Sequence, residues 1–194
     1  MKKIAIIYHT RFHSVEKIAS EIAIGMELVD GVKIALIQCS EAQSRIAEIN
    51  DADAIVFGSP TYFGSVSSEM KVFFDSTSEI FMQKRWKDKI AAAFTHSGSP
   101  SGDKLMTLMQ MMVFAMQNGM IWAGMDLIPN ENYEVPNEWS DLGAQSLEVN
   151  KLGSWIGLMS QSDARRGIEI SKNDLLTARI FGKRIATITK QMKS

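Results

Sequence analysis

The first 26 residues constrain the fold most, because they combine a buried strand, a polar loop and an amphipathic helix. Residues 3–8 (KIAIIY) form a short apolar run without alternation, which is typical of a strand covered on both faces. Residues 9–14 (HTRFHS) interrupt this run with hydroxyl and imidazole side chains. From Val15 onward apolar residues recur at helical spacing, and Ser14 is the predicted N-cap. This order predicts a helix that begins at the end of a strand.

The polar loop between this strand and helix has the groups that a phosphate site needs. The first amides of a helix lack partners and carry the positive end of its dipole, and Thr10 and Ser14 add hydroxyl donors. No Gly-x4-Gly-Lys-Ser/Thr pattern occurs, and no Gly-x-Gly-x-x-Gly follows the first strand. Nucleotide triphosphatases and ordinary dinucleotide folds are therefore disfavoured, and we predict that this loop binds a phosphate group.

Strand and helix patterns alternate along the chain, which predicts an α/β fold. The predicted strands are residues 3–8, 32–38, 53–58, 89–95 and 120–123, and the predicted helices are residues 15–26, 39–51, 67–80 and 103–118, with a last helix capped by Ser171. Parallel strands need right-handed helical crossovers, which place helices on both faces of the sheet. We therefore predict a doubly wound, five-stranded parallel sheet in a single domain over residues 1–194, with a long irregular excursion at about residues 125–170.

Polar loops follow the first, third and fourth predicted strands, so all three should lie at the sheet edge where ligands bind in such folds. The second loop, residues 59–65 (SPTYFGS), offers a stiff proline and two flat aromatic rings. The third loop, residues 96–102 (HSGSPSG), consists largely of small residues that let backbone amides approach a ring closely. One such loop is usually only a turn. Three together predict a site for a flat heterocycle with a phosphate tail.

Composition excludes several classes of partner from our expectations. The 21 basic and 22 acidic side chains nearly balance, and no basic run appears, so we expect no nucleic-acid partner. No apolar run approaches the roughly 20 residues of a membrane span. The single cysteine, Cys39, precludes an intrachain disulfide and suits a cytoplasmic location. His9, His13 and His96 lie at the predicted ligand edge without paired carboxylates, so we expect no metal site.

The three loops resemble the FMN loops of the flavodoxin family, and most closely those of NAD(P)H:quinone oxidoreductases similar to the tryptophan-repressor-binding protein. The resemblance rests on residues 9–16 (HTRFHSVE), residues 58–65 (GSPTYFGS) with Met70, Phe74 and Asp75 after them, and residues 97–99 (SGS). It covers most of residues 2–124 and, more loosely, residues 150–160 and the last helix. It implies the flavodoxin-like strand order 2-1-3-4-5, with FMN as cofactor.

The resemblance also implies roles for individual residues. The FMN phosphate would be bound by Thr10, Arg11, Phe12, His13, Ser14 and Val15; the ring and ribityl chain by Pro60, Thr61, Tyr62, Phe63 and Gly64; and the other ring edge by Ser97, Gly98, Ser99, Pro100 and Ser101. Phe81 and Asn118 would contact the substrate. The chain departs from the family pattern in three places: the family has Gly-His at His13-Ser14, Arg at Tyr62 and His at Asn118.

The expected function is that of an oxidoreductase passing hydride from NADH or NADPH through FMN to a quinone-like acceptor, with ping-pong kinetics and no catalytic side chain. Two alternatives remain at this point: an electron carrier like flavodoxin, and a flavin-free binding or regulatory module of the same fold. The near-neutral charge disfavours the carrier, because carriers tend to be strongly acidic for docking. Arg165 and Arg166 are either a solvated pair or a site for the NADP phosphate.

The predicted helix over residues 103–118 is apolar on nearly all sides between Leu105 and Met116, and seven methionines fall between Met106 and Met125. Either these side chains pack in the core, or one face of the helix covers a second subunit. The family resemblance implies a homodimer or homotetramer with sites near the interfaces.

Overall fold

The structure, a computed structural model, describes residues 1–163 and 166–192, so Arg165 lies outside the described residues. The strands are β1 (Lys2–Tyr8), β2 (Val32–Gln38), β3 (Ala54–Pro60), β4 (Ile90–Ser97), β5 (Ile121–Trp122), β6 (Asn132–Glu134), β7 (Ser146–Glu148) and β8 (Leu158–Gln161). The helices are α1 (Ser14–Glu27), α2 (Cys39–Ala42), α3 (Ile46–Asn50), α4 (Ser68–Ser76), α5 (Ser78–Met82), α6 (Lys104–Gln117) and α7 (Lys172–Gln191), with a 3-10 helix at Asn137–Leu142.

The central sheet has the order β2-β1-β3-β4-β5, with every neighbouring pair parallel, which confirms the predicted fold and strand order. Both of its faces are covered. Along β1, Ile4 and Ile6 pack in a core with α1 and α7, whereas Ala5 and Ile7 pack in a second core with residues of α4 and α6. This alternation is what a sheet buried on both sides requires.

The outer edge of β4 is shared by two short strands. Ile90 and Ala91 pair with β5, and residues from Phe94 to Ser97 pair with β8. The chain leaves the sheet after β5 and returns as β8, which the sequence analysis did not anticipate. In between, β6 and β7 form an antiparallel hairpin, and the 3-10 helix buries Trp139 against the α1–α7 core. The carboxylate of Asp141 accepts both Nη hydrogen bonds of Arg179, each 2.6 Å long.

Several predicted boundaries are wrong for identifiable reasons. Ser14 is the first residue of α1 and not its cap; the N-cap position belongs to His13. The predicted helix over residues 67–80 is split at Thr77, whose hydroxyl donates a hydrogen bond of 2.7 Å to the Phe74 carbonyl. The predicted helix over residues 39–51 is likewise two short helices, separated at residues 43–45. Ser171 does cap α7, because its hydroxyl accepts the Asp174 amide at 3.1 Å.

Candidate functional site

The loops that follow β1, β3 and β4 lie side by side at the carboxyl edge of the sheet. Tyr8 pairs with Gly58, and Gly58 pairs with Phe94, so the three strands end at nearly the same level. The His9 amide donates to the Gly58 carbonyl at 3.0 Å, and the Thr61 amide donates to the His96 carbonyl at 2.9 Å. The structure thus brings the three predicted cofactor loops together at one edge.

The first loop presents unused hydrogen-bond donors at the start of α1. His13 has the left-handed conformation, with φ at 61°, and its side chain makes no capping hydrogen bond. The Thr10 hydroxyl oxygen is buried and has no hydrogen-bond partner among the described residues. An uncapped start of a 14-residue helix beside a buried, unpartnered hydroxyl is an arrangement that favours an anion.

Two carboxylates near the first loop lie beside histidines. His13 Nδ1 lies 2.8 Å from a Glu16 carboxylate oxygen, and His9 Nδ1 lies 3.5 Å from a Glu69 oxygen. The backbone amide of Glu69 is the main cause that lowers the pKa of that carboxyl, and the charges of His9 and Arg11 contribute. The guanidinium of Arg11 lies over the Phe12 ring, 5.6 Å from its centre. The positive charge of Arg11 reduces the repulsion that an incoming phosphate would meet.

The second loop is a tight turn that exposes an aromatic ring. Tyr62 and Ser65 exchange two backbone hydrogen bonds of 3.0 Å, and Phe63 and Gly64 between them have φ values of 49° and 71°. Positive φ at both central positions matches a type I′ turn, which is strained for a bulky residue such as phenylalanine. The Phe63 ring is nevertheless fully exposed. Its flat apolar face is therefore exposed to solvent at the ligand edge.

Hydrogen bonds from inside the protein fix the second loop. The Thr61 hydroxyl is buried and joins those of Thr95 and Thr107, at 2.7 Å and 2.8 Å. The amide oxygen of Gln110 accepts hydrogen bonds from the Ser65 hydroxyl and the Val66 amide. The Thr61 hydroxyl and the Thr61 amide are therefore both used within the protein, which leaves the Thr61 carbonyl for the predicted contact with a ligand.

Side chains of the protein fix the third loop by donating hydrogen bonds to its carbonyls. The buried Lys104 ammonium donates to the carbonyls of Ser99, at 2.5 Å, and Pro100, at 3.0 Å. The Gln161 side-chain amide donates to the Gly98 carbonyl at 3.1 Å. Lys104 could not be identified from the sequence, since a lysine in the first turn of a helix is typically solvent-exposed.

His96, at the end of β4, is buried within a chain of hydroxyl groups. Its Nδ1 lies 2.9 Å from the Ser160 hydroxyl, and its Nε2 lies 2.9 Å from that of Ser162. Ser162 in turn lies 3.4 Å from the Ser14 hydroxyl at the start of α1. Burial, followed by the nearby charge of Lys104, lowers the pKa of His96 to about 4. Ser160 and Ser162 were not predicted from the sequence, because their contacts with His96 depend on the pairing of β8 with β4.

Phe81 and Asn118, the two predicted substrate contacts, lie away from the three loops. The carbonyl of Gly119, next to Asn118, accepts the Asp88 amide, which places Asn118 near the beginning of β4 and not near its end. Both residues line a groove of about 670 Å³ between α6 and the α4–α5 pair. The groove is mainly apolar, and the Asn118 side-chain oxygen in it is buried without a partner among the described residues. Within one chain, the structure therefore separates these two residues from the cofactor loops.

A family model described as NADPH-dependent FMN reductase matches residues 21–130, more than half of the chain. The chain belongs to this family. FMN and NAD(P)H are accordingly its cofactor and co-substrate, and the chain is an oxidoreductase.

Individual relatives agree with this assignment. Flavodoxin FldP of Pseudomonas aeruginosa is 30% identical over 99% of both chains. An NAD(P)H dehydrogenase (quinone) of Archaeoglobus fulgidus is 32% identical over 77% of this chain and 65% of its own length. A solved flavodoxin, a WrbA-like protein from Agrobacterium tumefaciens, covers 100% of both chains with a TM-score of 0.73 and 30% identity. The resemblance on which the sequence analysis relied is confirmed.

Proposed function

We propose that this protein binds FMN at the carboxyl edge of its sheet and uses it to pass hydride from NAD(P)H to a quinone-like acceptor. The phosphate would be held by the loop over residues 10–15, the ring and ribityl chain by residues 60–64, and the other ring edge by residues 97–101. The observation that carries the proposal is the convergence of these loops. A free helix start and a buried hydroxyl suit the phosphate, and the open Phe63 ring suits a flat heterocycle.

The protein's own residues would position the reactants. Bound FMN supplies the redox chemistry, taking hydride from NAD(P)H and giving it to the acceptor. We assign no catalytic side chain, because hydride transfer needs orientation and not a protein acid or base. Ping-pong kinetics belong to the proposal, since donor and acceptor would occupy one site in turn.

Self-association is a further part of the proposal, and its proposed interface is the outer face of α6. Apolar side chains that are 39–52% exposed lie along this face: Leu105, Met106, Met109, Val113 and Met116. A contiguous apolar surface of this kind favours a protein partner. A second copy of the chain seated there would place the groove of Phe81 and Asn118 at the interface, which is how these residues could approach a neighbour's substrate.

Light scattering tests the assembly. The wild-type protein should be a dimer or tetramer at micromolar concentration, and Val113→Asp should shift it toward monomer, because a carboxylate would be buried in an apolar interface. Thr187→Asp, at an exposed position of α7, is the matched control and should leave the mass unchanged. A wild-type protein that is monomeric at this concentration would contradict the assembly.

Steady-state oxidation of NADH and NADPH with benzoquinone tests the enzymatic activity. The FMN-loaded protein should oxidise one of the two continuously, with parallel double-reciprocal lines at several benzoquinone concentrations. The competing function is that of an electron carrier, which the relative named flavodoxin favours. A carrier would give no sustained NAD(P)H oxidation without a separate reductase, and that result would overturn the enzymatic proposal.

The FMN affinity of a Thr10 variant tests the phosphate site separately. Thr10→Val keeps the shape of the side chain but removes the unpartnered hydroxyl, so the Kd for FMN should rise about tenfold or more, as for loss of a hydrogen bond to a charged group. Thr187→Val makes the same exchange on the exposed side of α7 and should leave the Kd unchanged. Equal affinities of the two variants would remove Thr10 from the site.

The remaining parts of the proposal concern partners and location. We place the protein in the cytoplasm as a single domain over residues 1–194, without nucleic-acid or membrane partners, in line with its formal net charge of -1. None of the helices in the described part of the chain has the length and hydropathy of a membrane span.

A further inference from the structure

Lys104 is a fully buried lysine whose charge the proposed function does not use. Its ammonium lies behind the third loop and donates to the carbonyls of Ser99 and Pro100. Burial lowers the pKa of Lys104 to about 8, and the charge of Asp174 opposes the change, so the side chain remains a cation at neutral pH. A buried charge is costly, and such groups concentrate at functional sites.

The contacts of Lys104 and Gln161 determine which way the loop amides face. In a trans peptide, the carbonyl of one residue and the amide of the next point in opposite directions. The carbonyls of Gly98, Ser99 and Pro100 all turn toward donors of the protein, from Gln161, Lys104 and Ser97. The amides of Ser99 and Ser101 therefore turn outward. They have no hydrogen-bond partner within the described ranges, and the loop is exposed.

We propose that Lys104 is a positioning residue that sets both the affinity for FMN and its reduction potential. The inference rests on the proposed function. Lys104 holds the Pro100 carbonyl so that the Ser101 amide is available to the ring edge, and it adds a positive charge behind the loop. Hydride transfer from NAD(P)H brings two electrons and one proton, so the cofactor gains one negative charge. A fixed cation near this charge favours the reduced state over the oxidised one.

Two variants separate the donor from the charge. Lys104→Met keeps the side-chain length but removes both, whereas Lys104→Gln keeps a donor without the charge. For oxidised FMN, the Kd measured by fluorescence quenching should rise about tenfold in Lys104→Met and less in Lys104→Gln. In both variants the Kd for reduced FMN should rise about tenfold more than the Kd for oxidised FMN does. This difference lowers the midpoint potential by about 30 mV for a two-electron couple.

Lys89 provides a matched control at the other end of the sheet. Its ammonium also donates to two backbone carbonyls, of Asn50 and Ala52, and burial lowers its pKa as well. Lys89→Met therefore removes the same kind of contact at a distance from the cofactor loops. Its FMN affinity and midpoint potential should equal those of the wild type. Circular dichroism establishes that each variant is folded, and Lys104→Gln serves alone if Lys104→Met does not fold.

The outcomes distinguish this inference from the proposed function. If the wild type binds FMN and the potential is unchanged in the Lys104 variants, Lys104 is only a structural support for the loop, and the inference is overturned. The same holds if the Lys89 variant lowers the potential as much. If the wild type binds no FMN, the proposed function fails, and this inference fails with it.

Discussion

At the scale of single residues, the candidate site combines strained backbone with unused polar groups. His13 and Phe63 both have positive φ, a conformation that costs a residue with a side chain about 1–2 kcal/mol. Strain of this kind persists where the surroundings enforce it, and it is concentrated at functional sites. Glycine would suit the left-handed conformation of residue 13 better than histidine does.

Paired substitutions at His13 measure this strain. We expect His13→Gly to be more stable than His13→Ala by about 1 kcal/mol, because only alanine has a Cβ that clashes in the left-handed region. Both variants lose the contact with Glu16, so that loss cancels in the comparison. Urea unfolding of the FMN-free protein gives the difference. Equal stability of the two variants would show that residue 13 does not need the left-handed conformation.

The buried imidazole of His96 predicts a dependence of stability on pH. An unfolded chain protonates histidine near pH 6.5, whereas burial in the folded protein lowers the pKa of His96 to about 4. The neutral form is thus favoured in the folded state. This contribution to stability is complete above pH 6.5 and is lost as the pH falls toward 4.

A comparison of wild type and His96→Gln isolates this effect from other titrating groups. Between pH 7 and pH 5, the wild type should lose about 2 kcal/mol more unfolding free energy than the variant. Chemical denaturation at the two pH values provides the measurement. If both proteins lose the same amount, His96 is not held neutral by the fold.

At the scale of elements, the sequence predicted what depends on periodicity and missed what depends on distant partners. The apolar stripe of α1 and the Ser171 cap of α7 follow from local spacing, and both are found as expected. The four residues of β8 form a strand only because β4 offers them a free edge. The split of the predicted helix at Thr77 depends on one side-chain hydrogen bond to the Phe74 carbonyl. Lys104 is buried because carbonyls of the third loop accept hydrogen bonds from its ammonium.

Close packing of α1 against α7 gives a prediction at this scale. A Cβ at Gly182 would lie 2.0 Å from the Ile22 carbonyl oxygen, so the helices would have to move apart. Gly182→Ala should destabilise the protein by about 3 kcal/mol, as overpacking does, although helix propensity alone predicts stabilisation. Thr187→Ala, on the exposed side of α7, should change stability by less than about 0.5 kcal/mol. Thermal or urea unfolding provides the measurement. A Gly182→Ala variant as stable as the wild type would contradict the close contact between α1 and α7.

At the scale of the whole molecule, the fold explains why three short loops can act as one site. Parallel strands ending at the same edge bring residues 10–15, 60–64 and 97–101 together although they are far apart in the chain. This convergence was predictable from the order of strands and helices. The position of Phe81 and Asn118 was not, because their place in the groove between α4, α5 and α6 emerges only from the packing of these helices.

The central claim is that these loops hold FMN where NAD(P)H can reduce it. The most direct measurement is the visible spectrum of the protein after incubation with FMN and gel filtration, recorded without oxygen before and after one equivalent of NADH or NADPH. We predict one bound FMN per chain, whose colour is lost on addition of one of the two nucleotides. A colourless protein that has retained no FMN would contradict the account.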